Sequence, residues 1–157
     1  MGARVTVIAV GKLRNTEIRS LCDDFSRKIG RYCAFEQVEL KDVKRARASS
    51  DVRELEAQNI LSKLPKSSFV IALDERGLQK STRDIASWFE KIEQRIGGHI
   101  CFIVGGPDGL HEQVTKASNA ILSLSLMTMT HELARLVLFE QIYRVFSLRA
   151  GHPYHRT

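Results

Sequence analysis

A chain of 157 residues, 43% hydrophobic and 27% charged, has the size and make-up of one globular domain with its own core. No stretch approaches the roughly 18 apolar residues of a membrane span, and the apolar run at the N-terminus is too short and too β-branched for a signal peptide. Lys and Arg outnumber Asp and Glu by 24 to 18, a net charge of +6 that suits a polyanionic partner without specifying one.

Three cysteines, Cys22, Cys33 and Cys101, form no C-x-x-C pair. Neither a disulfide framework nor a zinc site is expected, and a reducing cytoplasm is the simple inference.

Residues 4–10, "RVTVIAV", are β-branched and closed by Gly11, which predicts a strand. From Asn15 to about Tyr32 the apolar positions Ile18, Leu21, Cys22, Phe25 and Ile29 recur at helical spacing, with Asn15 or Thr16 as cap. "FEQVEL" (35–40) alternates as a half-buried strand does. A basic, turn-rich segment follows, then a helix from about Asp51 to Leu64, capped by Ser50 and stopped by Pro65. "SFVIALD" (68–74) reads as a buried strand turned by "DERG". Ser81 caps a helix with Ile85, Trp88, Phe89, Ile92 and Ile96 on one face, ended by Gly97-Gly98. That spacing makes Trp88 a core residue. "HICFIV" is the next strand, followed by a glycine-rich turn and a short helix near 111–118. "AILSLSL" (120–126) is a fifth strand, and a long helix runs from about His131 to Leu148 before the tail "GHPYHRT".

Strands alternating with helices predict an α/β fold, a mainly parallel sheet with helices on both faces, in a single domain spanning 1–157. The last helix is apolar nearly all round, from Leu133 to Leu148. One side can face the sheet. The other needs cover, which in so short a chain points to a second subunit; the alternative is an unusually central helix.

Open parallel sheets bind ligands at the carboxyl ends of their strands. Three ends draw attention: Leu73-Asp74, Val104-Gly105-Gly106, and the stretch from Leu124 to Thr130. "CFIVGGPDGL" (101–110) has neither the P-loop pattern nor the Rossmann glycine spacing, and no acidic residue for a ribose follows at the right distance. What remains is a turn that offers bare main-chain groups to a ligand, or a plain Pro-Gly turn. "SLSLMTMTHELAR" offers main chain enough to ring an adenine, with Met127 and Met129 as walls or as core filler.

"LDERG", "FIVGGPDGL", "SLSLMTMTHELARLVLFEQIYR" and the terminal "HPYHR" occur in this order along a chain of matching length. Together they resemble the ribosomal RNA large-subunit methyltransferase H family, of the SPOUT class of knotted methyltransferases. The resemblance implies a C-terminal trefoil knot, a homodimer, and S-adenosylmethionine (S-adenosyl-L-methionine) as cofactor. It implies methylation of N3 of a pseudouridine in 23S rRNA within the assembled ribosome. Cofactor positions carry over as Leu73, Gly105, Gly106, Ser125, Leu126, Met127, Thr128, Met129 and Thr130. Where the family commonly has proline this chain has Thr130, which can cap the following helix instead.

The N3–H of a pseudouridine is a weak acid whose proton must leave before or during attack. His155 and Arg156 of the tail can handle that proton and the resulting charge. Tyr154 can stack on a base and His152 can contact RNA. With little apolar content after the last helix, the tail is expected to serve the RNA rather than the fold. Arg135 and Arg144 lie on the apolar helix, where they either pair with Glu132 and Glu140 or face a phosphate site. His131 is expected to support the cofactor loop. Lys44, Arg45 and Arg47, in the basic segment, are candidate phosphate contacts. Two other classes remain open on sequence: a non-catalytic RNA- or nucleotide-binding module, and a small oxidoreductase.

Overall fold

The computed structural model describes residues 2–43 and 49–156. In chain order the elements are β1 (Arg4–Val10), α1 (Thr16–Ile29), β2 (Ala34–Leu40), α2 (Ser49–Lys63), β3 (Phe69–Leu78), α3 (Thr82–Ile96), β4 (His99–Val104), α4 (Glu112–Ala117), β5 (Ala120–Leu122) and α5 (His131–Arg149). The strands form one sheet in the order β2-β1-β4-β3-β5, and every pairing is parallel.

Side chains alternate across a strand, so each strand supplies two cores. Val5, Val7, Phe102 and Val104 face α1, α3 and α5; Ile8, Val10, Cys101 and Ile103 face α2 and α4. Burial on both faces explains why β1 and β4 read as continuous apolar runs. Trp88 meets the Phe69 ring edge-on at 5.7 Å and packs against the first of these cores.

The caps follow the side chains. Asn15 Oδ1 accepts from the Ile18 amide at 2.9 Å. Ser81 and Asp84 form a reciprocal capping box at the start of α3. Thr130 Oγ1 accepts from the Leu133 amide at 3.3 Å and starts α5. Ser50, expected as a cap, lies inside the first turn of α2, which begins at Ser49.

Two strand boundaries differ from the sequence reading. "AILSLSL" leaves the sheet after Leu122. Its serines take main-chain bonds instead: Ser123 Oγ donates to the Ser125 carbonyl at 2.9 Å, and Ser125 Oγ accepts from the Met127 amide at 2.9 Å. Such local bonds compete with a strand ladder. "DERG" is no turn but the end of β3, which carries an irregularity between Leu73 and Leu78. There Gly77 lies so close to β5 that an added Cβ would sit 2.7 Å from the Ile121 carbonyl.

The last helix takes the central position that the sequence left as the alternative. It packs between α1 and α3 on the sheet. Leu138, Phe139, Ile142, Tyr143, Val145 and Phe146 are buried within the chain, so all-round apolarity does not by itself require a second subunit.

Candidate active site

The connections after β1 and β4 diverge. These strands are neighbours, yet α1 follows one on one face and α4 follows the other on the opposite face. Such a reversal opens a crevice at the carboxyl ends of the strands. Here it is a cleft of about 1020 Å³, the upper end of the range of roughly 300–1,000 Å³ common for small-ligand sites. Its walls are the end of β3 (Leu73 to Arg76), the glycine turn (Val104 to Leu110), and residues of the 124–134 segment.

Of the anticipated cofactor positions, Leu73, Gly105, Gly106, Ser125, Met127, Thr128, Met129 and Thr130 line this cleft, and so does His131. Leu126 does not; its side chain points outward and is 78% exposed. Met127, equally exposed, is a wall and not core filler.

Sequence reasoning missed Asn15, Ile18, Arg53, Arg76 and Glu132, which also line the cleft. The available signal was the carboxyl end of β1, a strand end like the other three. Glu132 binds this loop directly, accepting from the Arg14 amide at 2.6 Å and the Asn15 amide at 3.1 Å. These amide bonds hold its carboxyl below the usual carboxylate range. At the opposite wall Asp74 takes a two-pronged bond from Arg76, Nε to Oδ1 and Nη2 to Oδ2 both at 3.0 Å, which depresses its pKa.

The lining joins the main chain of the glycine turn and of the 124–130 loop to polar side chains, Asn15, Arg53, Asp74 and Glu132 among them. Between Leu124 and Met129, Met127 alone has an amide bonded within the chain, among the described residues. The glycine turn is closed by the Gly109 amide donating to the Gly106 carbonyl at 3.0 Å, with Gly109 at a φ of +78°. Behind it stands Glu56 of α2. A Cβ on Gly106 would approach Glu56 Oε1 and Val10 Cγ1, each to 3.3 Å. Glu56 is only 5% exposed. Burial first, then the nearby Asp108 and Asp42, pushes its pKa up to about 7.

The anticipated catalytic residues are elsewhere. Arg135 is 1% exposed and turned inward: it donates to Glu39 Oε2 and to the Gly11 carbonyl, both at 2.6 Å. It therefore ties α5 to the ends of β1 and β2, and its partner is Glu39 rather than Glu132. Arg144 does pair with Glu140, Nε to Oε1 at 2.9 Å.

The tail folds back on α5 after Gly151, whose φ is +70°. Tyr154 meets Tyr143 edge-on at 4.7 Å and lies beneath the Arg144 guanidinium at 4.9 Å. The tail thus contributes to the fold, contrary to the sequence expectation, and the Tyr154 ring already has its stacking partners. The His152 ring nitrogen Nδ1 accepts from the Tyr154 amide at 3.3 Å. His155 Nδ1 is buried with no hydrogen-bond partner among the described residues, while Arg156 is exposed. No residue of 150–156 lines the cleft. Folded back on α5, the tail reaches Glu140, whose Oε1 accepts from the Tyr154 hydroxyl at 3.1 Å, nine residues or roughly 14 Å of helix beyond His131. Lys44, Arg45 and Arg47 lie outside the described residues.

The fold is a parallel α/β sheet with a cleft at the carboxyl ends of its strands, and a basic and aromatic cluster of Tyr143, Arg144 and Tyr154 lies on the last helix. A family model described as "Predicted SPOUT methyltransferase" matches residues 3–155. The chain is 37% identical to a ribosomal RNA large subunit methyltransferase H of Clostridium botulinum, covering 97% of this chain and 99% of that one. It is 38% identical to the protein of the same name from Syntrophotalea carbinolica, covering 97% and 98%.

Among solved structures, a methylase family protein of Haemophilus influenzae superposes with a TM-score of 0.57 at 14% identity, covering all of this chain and 72% of that one. The SpoU methyltransferase AviRb of Streptomyces viridochromogenes, solved with AdoMet, gives 0.51 at 10% identity and covers 97% of this chain and 60% of its own. The protein belongs to the SPOUT methyltransferase family.

Proposed function

We propose that this protein transfers a methyl group from S-adenosylmethionine to N3 of a pseudouridine in 23S rRNA of the assembled ribosome, in the cytoplasm and as a homodimer. The observation that carries the reading is the cleft, which draws three strand ends together and is lined by most of the residues that the resemblance assigns to the cofactor, in a chain matched nearly end to end by rRNA methyltransferases. Gly77 packed on the main chain of β5 fits a close crossing of the kind a trefoil knot requires.

The cofactor, when bound, supplies an electrophilic methyl on a sulfonium. The residues of this chain do the rest. Main-chain amides of 124–129 and the glycine turn bind and orient. Leu73 and Met129 provide apolar walls. His155 accepts the N3 proton as the nitrogen attacks; Arg144 and Arg156 stabilise the developing anion. Arg135 holds α5 in place through Glu39 and Gly11. Lys44, Arg45, Arg47 and His152 contact RNA phosphates.

The tail of this chain packs on Glu140, Tyr143 and Arg144 of α5, and none of its residues lines its own cleft. The active site is therefore composite: the tail of one subunit meets the cleft of the other. Leu126, Met127 and Leu133, exposed beside the cleft mouth, supply apolar surface for that contact.

The test is methyl transfer to ribosomes from cells lacking this protein, followed by mass mapping of 23S rRNA. A single added methyl on a pseudouridine, dependent on the cofactor, is the expected result. Ribosome binding with no methyl transfer would leave a non-catalytic RNA-binding module.

A further inference from the structure

Glu140 carries no role in the reading above, yet it gathers more polar contacts than any of its α5 neighbours among the described residues. Its Oε1 accepts from Arg144 Nε at 2.9 Å and from the Tyr154 hydroxyl at 3.1 Å. Its Oε2 accepts from Gln141 Nε2 at 2.8 Å, and Gln141 in turn is bonded by Thr82 of α3 at 2.8 Å. An exposed pair four residues apart on a helix contributes little, about 0.3–0.5 kcal/mol. This one differs in two ways. It is largely shielded, with the Glu140 and Arg144 side chains 22% and 28% exposed. The oxygen that holds Arg144 also holds a phenol 14 residues further on.

The rest of the tail depends on that phenol. Within 150–156, Gly151 and His152 are bonded back to α5 through main chain. Beyond them Tyr154 is the anchor, fixed by Glu140, by the edge of Tyr143 and by Arg144 above its ring. His155 and Arg156 follow immediately, so where Tyr154 sits sets where they emerge.

We propose that Glu140 is the positioning residue of this site: one carboxylate oxygen that fixes the Arg144 guanidinium and the Tyr154 anchor together, and so aims His155 and Arg156. The inference rests on the assignment of these residues to the reaction. A positioning error of about 1 Å can cost on the order of a hundredfold in rate, so the effect belongs in kcat and not in cofactor affinity.

The test compares Glu140→Gln, Tyr154→Phe and the double variant of the full-length protein with the parent. Glu140→Gln keeps shape and removes the charge; Tyr154→Phe removes the same bond from the other partner. Each single change should lower kcat at least tenfold, with the Kd for S-adenosylmethionine within twofold by calorimetry. The double variant should be no slower than the slower single one, because both remove one clamp. Additive losses, or a folded Glu140→Gln enzyme within twofold of the parent kcat, would overturn the proposal.

A second readout needs no substrate. Burial first and then the charge of Glu140 push the Tyr154 phenol up, while Arg144 opposes them. Ultraviolet titration, with Tyr154→Phe as the blank for Tyr32 and Tyr143, should show the phenol ionising at lower pH in Glu140→Gln. An unshifted phenol refutes the clamp whatever the substrate proves to be. Absence of methyl transfer by the parent protein would instead refute the functional assignment.

Discussion

Gly106 is squeezed from behind as well as open to the cleft, and this decides what its replacement does. Any Cβ there must displace the Glu56 carboxylate or Val10. Gly106→Val should lower affinity for S-adenosylmethionine at least tenfold, about 1.4 kcal/mol, measured by calorimetry; unchanged affinity would leave the glycine a packing role alone. Glu56 itself makes stability depend on pH. Its folded pKa of about 7 lies above the ordinary 4.5, so the folded state favours the neutral acid. That contribution is complete below about pH 4.5 and is lost as pH rises through 7. Glu56→Gln cannot ionise. Thermal melts between pH 5 and 8 should show the parent falling relative to this variant, by on the order of 1–2 kcal/mol and a few degrees in Tm. Parallel curves would show that Glu56 does not titrate in this window.

At the scale of elements, the tail is a small packing unit and, in the proposed function, the carrier of the reacting groups. Removing 154–157 deletes the Tyr154–Tyr143 contact, which should cost on the order of 1–2 kcal/mol and lower Tm by a few degrees. Methyl transfer should fall by orders of magnitude, far beyond what that loss of stability explains. Single changes separate the two roles. Arg156→Ala, on an exposed side chain, should leave Tm alone and raise KM for the ribosome. His155→Ala should lower kcat and flatten its pH profile on the acid side. A tail-deleted protein with parental kcat would move the search for the base to the RNA itself.

For the whole molecule, the question is whether two chains make one site. Sedimentation at micromolar concentration should give twice the 17.8 kDa of the chain; a monomer would leave the cleft without the tail, none of whose residues lines it. A sharper measurement uses two impaired proteins, assayed at a cofactor concentration below the Kd of the cleft variant. Gly106→Val spoils the cleft and removal of 154–157 spoils the tail. Unfolded together and refolded as a mixture, they should regain activity, because mixed dimers contain one intact cleft facing one intact tail. No recovery in a mixture shown to form mixed dimers would place both halves of the site in one chain.

The alternation of β-branched runs with amphipathic helices determined the α/β class and the parallel sheet, because burial on two faces leaves continuous apolar strands. Local chemistry determined the caps: Asn15, Ser81 and Thr130 act through bonds spanning three residues. The glycine turn and, apart from Leu126, the 125–130 run were legible as the lining of a cleft at the strand ends. What crosses the chain was not legible. Arg135 on Glu39, 96 residues away, and Glu132 on the Arg14 and Asn15 amides depend on where α5 lies against β1 and β2. The same holds for Glu56 behind Gly106 and for Gly77 against Ile121. The sheet order β2-β1-β4-β3-β5 chose these neighbours, and sequence periodicity carries no record of it. Only the tertiary structure decided that the tail turns at Gly151 and lays Tyr154 on Glu140, Tyr143 and Arg144, because contacts made after a chain reversal leave no periodic trace in the residues that make them.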